Sequence, residues 1–495
     1  MSLSSTIFLF AFLPISLIGN YLLKDRFSNI FLVMISLVFY SWANTKLVLV
    51  LIVGILANYI FSLGIEKFRN NSAVSKNIML LSLIYNIGIL WYYKYLIFTV
   101  SSINELTGTK LTIPSVTLPL GISFFTFRAI SYVLDVYFGS NKAQKNIVNV
   151  ALYISFFPQL VMGPITKYNT FEKQLRERQV SFDLFAEGSR RFIVGLSKKM
   201  ILSNGVATMV DGVFTLPDSE RTVLLAWMGI VGYLLQLYFD FSGYSDMAIG
   251  LSKMFGFNCP ENFNYPYISK SIGEYWRRWH ITLGTWFKDY LYIPVFRGII
   301  QRKNFFTKRP LTFQQSDILA LLVVWLCTGI WHGANWTFVV WGVYYFIFIV
   351  TERLTQDAKK KREKKLKIPK RKETKLTALR AHIYTLIVII IGQVIFRANS
   401  LSAAAKYVES MFGLHGNKFI DNLTIYYFKG NWVLILLGVV FCLPVAIKMS
   451  ELSNNNMVFK RVSKVILPFV YIVLFIIGIS YLLTDTYQSF IYFQF

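Results

Sequence analysis

Apolar residues in this chain come in runs too long for the core of a soluble domain. Stretches at 5–23, 28–43, 46–65 and 77–98, and later at 381–396, 431–447 and 464–483, approach the ~20 residues that a helix needs to cross a bilayer. Between these groups the pattern changes character. From Pro114 onward, proline and glycine interrupt apolar segments, in Leu118-Pro-Leu-Gly-Ile-Ser-Phe-Phe-Thr-Phe127 and in Ser155-Phe-Phe-Pro-Gln-Leu-Val-Met-Gly-Pro164. That pattern predicts broken or re-entrant helices, because non-helical backbone at membrane depth must be buried in protein or line a cavity. Residues 166–220 are polar and basic and predict helices on the cytoplasmic face. Apolar spacing returns at Val223–Gly250. Residues 272–291 then put Tyr275, Trp276, Trp279, His280, Leu283, Phe287 and Tyr290 on one side of a helical wheel, and mostly charged residues on the other. This is an interfacial amphipathic helix, expected to stop near Pro294. Simple alternation of spans fails between 140 and 315, which again favours re-entrant elements.

Composition sharpens the class. The 495 residues are 55% hydrophobic and only 15% charged, as an all-α polytopic membrane protein requires. One integral domain is expected: spans over 1–113, a core over 114–352, a basic loop over 353–380 and further spans over 381–495. Ile7–Leu23 lacks the basic flank and small-residue cleavage pattern of a secretory signal, so it reads as a mature span. The formal charge of +26 would suggest nucleic acid in a soluble protein. Here, cytoplasmic loops and anionic lipid headgroups explain it, and no nucleic-acid partner is expected. Basic residues after the first and third spans, and the Lys359–Lys365 run, place those segments inside and the amino terminus outside. Cys259, Cys327 and Cys442 have neither metal nor disulfide spacing and read as apolar filler.

Chemistry then has few candidates. The histidines are His280, His332, His382 and His415. His332 lies inside the apolar stretch Ile318–Val350, within Trp331-His-Gly-Ala-Asn-Trp336. An ionisable group there is costly and marks a functional site by default. Imidazole suits the place, since it stays neutral when buried and still exchanges protons. The plainer alternative is a hydrogen bond to a neighbouring helix. Asn335 is close enough to orient it. Asp240 and Asp246 read as partners for arginine or as caps on broken helix ends, not as a metal pair. Arg277 and Arg278, with Trp276 and Trp279, could form a donor-side mouth attracting phosphates, together with Lys288 and Arg297; equally, they could hold the helix against anionic lipid.

Taken together, these segments resemble the membrane-bound O-acyltransferases, and within them the bacterial branch that O-acetylates exported polysaccharides of the alginate type. The likeness rests on the Leu118–Phe127 stretch above and on Tyr238-Phe-Asp-Phe-Ser-Gly-Tyr-Ser-Asp-Met-Ala-Ile-Gly250, Pro260-Glu-Asn-Phe-Asn264, Glu274-Tyr-Trp-Arg-Arg-Trp-His280, Asp289-Tyr-Leu-Tyr-Ile-Pro294, Gly329-Ile-Trp-His-Gly333 and the final Phe-Ile-Tyr-Phe-Gln-Phe. After Pro294, Val295-Phe-Arg-Gly-Ile299 replaces the Gly-Gly-Asn-Arg-like turn frequent in that branch. The resemblance implies a ring of tilted and re-entrant helices around a thin core pierced by a tunnel. It implies that His332 is the catalytic base and His280 a second important polar position. It further implies no bound cofactor or metal, and acetyl-CoA or another acyl thioester as donor substrate. The acceptor would be an exported polysaccharide, or an extracytoplasmic SGNH-type relay partner, served from a multi-pass protein of the bacterial cytoplasmic membrane. The absence of a Gly-x-Ser-x-Gly nucleophile motif favours direct transfer. Two rival readings are a D-alanyl transferase for teichoic acid and a secondary transporter; the second would ordinarily carry internal repeats, and none is visible.

Overall fold

In hydrocarbon every main-chain polar group needs an internal partner, and helices provide that within a single segment. The computed structural model describes residues 1–23, 25–42, 44–301, 310–367, 374–414, 416–484 and 490–491, and its elements are helices throughout. Two shorter apolar helices, α1 (Phe8–Leu22) and α2 (Phe27–Ser41), open the chain. Eight more among the described residues are long and apolar enough to cross a membrane. They are α3 (Thr45–Lys67), α4 (Ser72–Thr107), α8 (Val223–Met254), α11 (Phe313–His332), α12 (Trp336–Lys365), α13 (Lys375–Arg397), α14 (Asn422–Phe441) and α15 (Met457–Thr484). Between α4 and α11 lie α5 (Ile122–Tyr137), α6 (Ile147–Ser155), α7 (Phe182–Ser197), α9 (Ile272–Arg278) and α10 (Ile281–Phe287). The protein is an all-α polytopic membrane protein.

The helices collect into two units that interleave along the sequence: Met1–Met200 with Phe241–Glu261 and Val470–Gln494, and Ile201–Asp240 with Asn262–Phe469. In the first, α5 is buried from Ile122 to Val136, including Arg128, whose guanidinium donates to the carbonyls of Tyr153 and Gln159. The proline-containing stretch after α6 forms one short turn, Phe157–Leu160, and then buried irregular backbone, as its composition predicts. Helix α7 approaches the carboxy-terminal half of α8 through facing glycines. A Cβ on Gly195 would fall 2.5 Å from the carbonyl of Gly243, and one on Gly188 at the same distance from that of Gly250. The close approach brings Arg191 and Lys198 each within 2.6 Å of Asp246. Helix α8 is unbroken here, so Asp246 is an ion-pair partner and not a cap.

Three sequence expectations are corrected. The amphipathic segment is not one helix: it breaks at Trp279–His280 and passes through a π-helical turn at Lys288–Tyr292. Pro294 does not end it, because it occupies the first turn of a new helix, Ile293–Ile300, where a missing N–H costs nothing. Val295–Ile299 are therefore helical. The basic segment after Val350 is not an open loop at its start, since α12 runs on to Lys365 with Lys359 and Glu363 paired one turn apart.

Candidate active site

His332 is the last residue of α11. That helix starts at a capping box, in which Thr312 accepts from the Gln315 N–H and Gln315 accepts from that of Thr312. It ends because Gly333 is extended, and α12 begins three residues later, with the Asn335 side chain accepting from Thr337 N at 3.0 Å. The two long helices thus form a tight hairpin. Gly329 and Gly342 let them touch: a Cβ on Gly329 would strike the carbonyl of Phe338 and lie 3.2 Å from Gly342 Cα. Closure buries the His332 side chain to 4% exposure and surrounds it with rings. Trp331 (4.7 Å between centroids), Trp341 (4.8 Å) and Phe396 (5.2 Å) all present themselves edge-to-face. Such packing gives the imidazole apolar surroundings and restrains its plane.

His280 sits at the corner between α9 and α10. Its backbone is left-handed (φ 44°, ψ 54°), shared among the described non-glycine residues only with Tyr265 and Lys367. This conformation costs an L-residue about 1–3 kcal/mol, so the surroundings must enforce it. Residues 262–264 do so. Asn264 N donates to the Arg278 carbonyl, Ile281 N donates to that of Asn262, and the Asn262 side-chain oxygen receives Thr282 N at 3.2 Å and Thr282 Oγ1 at 2.9 Å. The same oxygen lies 3.0 Å from His280 Nδ1. At 2% exposure, burial pushes the His280 pKa down to about 3, so the ring is neutral at working pH.

Aromatic side chains connect the two histidines. The Trp331 indole neighbours His280 (6.1 Å) as well as His332. Trp276 of α9 packs on Trp325, Trp341 and Tyr345 of the hairpin. The far end of α9 is held by Glu352 of α12, whose carboxylate accepts Ile272 N at 2.7 Å and Gly273 N at 3.0 Å. Both histidine-bearing elements are therefore referenced to one helix.

The remaining sequence candidates divide clearly. Trp276 and Trp279 are packing residues: Trp279 is buried among Tyr238, Phe263 and Tyr275. Arg278 is engaged by Glu274 and the Asn264 carbonyl, whereas Arg277 is exposed. Asn335 is committed to the α12 cap and to the Asn399 carbonyl, so it shapes the turn instead of orienting His332. Thr282, which a continuous helix would put on the side opposite His280, is buried because the helix breaks before it. His382 lies 3.0 Å from the Ser269 carbonyl, and His415 falls outside the described residues. Asn262 and Glu352 were not singled out from sequence. A lone acid just ahead of a basic run, and the first asparagine in Pro-Glu-Asn-Phe-Asn, were their only signals.

Comparison with known proteins gives a consistent result. The family model described as "MBOAT, membrane-bound O-acyltransferase family" matches residues 139–362. The chain is 38% identical to the "Probable alginate O-acetylase AlgI" of Pseudomonas aeruginosa, over 83% of this chain and 75% of that protein. It is 31% identical to the "Peptidoglycan O-acetyltransferase" of Helicobacter pylori, over 99% of this chain and 97% of the other. Similarity to the "Teichoic acid D-alanyltransferase" of Bacillus subtilis is 30%, over 46% of this chain and 58% of that one.

Proposed function

The chain belongs to the membrane-bound O-acyltransferase family and is an acyltransferase, and we propose that it passes an acetyl group from a cytoplasmic thioester toward an exported cell-surface polysaccharide. The observation that carries the catalytic part is the buried pair of histidines on elements tied to α12, with His332 enclosed by three rings at the end of a membrane-length helix. The polysaccharide part is supported by relatives whose names specify alginate and peptidoglycan, and which match far more of the chain than the D-alanyl transferases do.

Transfer forms a bond between the acceptor oxygen and the acyl carbon and breaks the carbon–sulfur bond. The hydroxyl proton must leave as its oxygen attacks, and the thiolate must regain one as it departs. A neutral imidazole does both in turn. His332 is assigned that part because it lies in an apolar enclosure, where a charged base would be far more costly. His280 is assigned to hold the reacting groups. No serine-type intermediate is invoked; transfer is direct, to the polymer or to an extracytoplasmic SGNH-type relay protein.

Sidedness follows from charge. Basic residues precede α11 and crowd the end of α12, which supports a cytoplasmic position for those ends, in a bacterial cytoplasmic membrane on our reading. The twenty residues of α11 rise ~30 Å, so the turn carrying His332 reaches the opposite side. Acetyl-CoA, or another acyl thioester, would enter from within, with exposed Arg277 available to its phosphates.

The test is polymer acetyl analysis in a deletion strain complemented with wild type or His332→Ala. Wild type should restore O-acetyl groups, and the variant, inserted at normal levels, should lose ~10²–10⁴-fold of the rate. Normal acetylation by the variant would overturn the assignment. Loss of D-alanyl esters in place of acetyl would favour the teichoic acid reading.

A further inference from the structure

The hydrogen bonds around Asn262 settle something about His280 that burial alone does not. A side-chain amide has an acceptor end and a donor end, and only its partners tell them apart. Here the partner is unambiguous. The main-chain N–H of Thr282 lies 3.2 Å from one amide atom and can only donate, so that atom is the carbonyl oxygen. The Thr282 hydroxyl, 2.9 Å away, makes the same use of it. The Asn262 backbone is held as well, since its carbonyl receives Ile281 N at 2.9 Å. The residue is 1% exposed and cannot turn over without losing these bonds.

His280 Nδ1 faces that same oxygen at 3.0 Å, so it must carry a hydrogen. We infer that Asn262 is a positioning residue that fixes His280 as the neutral Nδ1–H tautomer, with Nε2 presented as a hydrogen-bond acceptor. The inference rests on the acyltransferase reading for its purpose, though not for its geometry. It excludes one role and assigns another. A neutral imidazole with its only hydrogen committed to Asn262 cannot donate to the carbonyl oxygen of a thioester, so His280 is not an oxyanion donor. It can accept from an O–H or N–H of the bound substrate: the attacking hydroxyl, or an amide of the donor's arm.

The neighbours support a neutral ring. Phe263 stacks 6.5 Å away, Trp331 lies on another side, and Trp279 precedes it in the chain. The side chains that hydrogen-bond through the Asn262 oxygen beside His280, those of Asn262 and Thr282, are uncharged. Arg278, two residues before, is directed to Glu274 and the Asn264 carbonyl. An amide at position 262 orients the ring without charging it, whereas a carboxylate there would favour imidazolium.

Two experiments decide the matter. In protein with ¹⁵N-labelled histidine, with His280 assigned by comparison with His280→Gln, the ring should show protonated Nδ1 and bare Nε2 throughout pH 6–8. An Nε2–H tautomer or an imidazolium signal at pH 7 would overturn the inference, whatever the enzyme's activity. In the same ¹⁵N titration, Asn262→Asp should raise the pH at which the His280 ring gains its second proton by about one unit or more, while in acyl-transfer assays Asn262→Ala should lower kcat roughly tenfold or more with a smaller change in donor KM. An Asn262→Asp titration superimposable on wild type, with correctly folded protein, would remove the positioning role. If both Asn262 variants behave as expected while His332→Ala stays active, the failure belongs to the base assignment and not to this one.

Discussion

His280 is in an unusual energetic position, because its backbone is strained and its ring is buried in the neutral form. The second feature makes stability depend on pH. The folded-state pKa, about 3, is below the ordinary value of 6.5, so the unfolded chain binds more protons between these limits. Stability from this group is therefore full above pH 6.5 and lost as pH falls toward 3. His280→Gln removes the titration, so the gap between its unfolding midpoint and that of wild type should shift in the variant's favour as pH drops from 7 to 4. The underlying change approaches about 1.4 kcal/mol per pH unit. A constant gap over that range would show that the ring is not held neutral. Function should separate the substitutions further. His280→Gln retains a polar head and measurable transfer, while His280→Leu should be far weaker in the same assay.

For the elements, the decisive feature is how closely α11 and α12 approach. Gly329 and Gly342 face each other without room for a side chain, so Gly342→Leu should force the helices apart and release the rings around His332. The expected outcome is a fall in folded protein on size-exclusion chromatography, and loss of activity in what remains. Gly298→Ala, at a position with open space around it, should match wild type. The anchoring of α9 is a subtler case. Glu352 accepts two N–H groups at its first turn, satisfying orphan donors and favouring the positive helix end. Glu352→Ala should lower the transfer rate about tenfold or more with a modest stability loss of ~1–3 kcal/mol, and Glu352→Gln should recover part of both. Equal rates for all three proteins would mean that α9 keeps its place by ring packing alone.

Across the whole molecule, charge asymmetry gives a directional expectation. In inside-out vesicles, radiolabelled acetyl-CoA added outside should label acceptor within the lumen without itself crossing, and His332→Ala vesicles should not. Label arising only when donor is supplied on the other face would overturn the sidedness and the mechanism together. The broad class is readable from the lengths of the apolar runs alone. Apolar runs of membrane length read as helices, and two of the three late spans fall where hydropathy places them, 381–396 within Lys375–Arg397 and 464–483 within Met457–Thr484; the third, 431–447, is displaced, because its helix is Asn422–Phe441 and the chain turns at 442–444 before Val445. His332 stands out as a candidate on similar one-dimensional grounds, because an ionisable group in such a run is conspicuous.

What the linear pattern could not supply is the direction in which the chain turns. A helical wheel assumes a continuous helix, so it predicted one amphipathic element across 272–291 and missed the break at His280, which is enforced by residues 262–264. It gave Asn335 an orienting part on nearness in sequence, where the turn uses that side chain as a cap. Asn262 and Glu352 acquire their importance from partners 20 and 80 positions away, Thr282 and Ile272 respectively. Composition and apolar length determined that this chain is a bundle of membrane helices with a histidine set among them, since the cost of exposing polar backbone or charge to hydrocarbon is a property of each segment. Which atoms hold that histidine's companion, and in which tautomer, was decided only by tertiary hydrogen bonds, since donors and acceptors act over about 3 Å of space without regard to sequence separation.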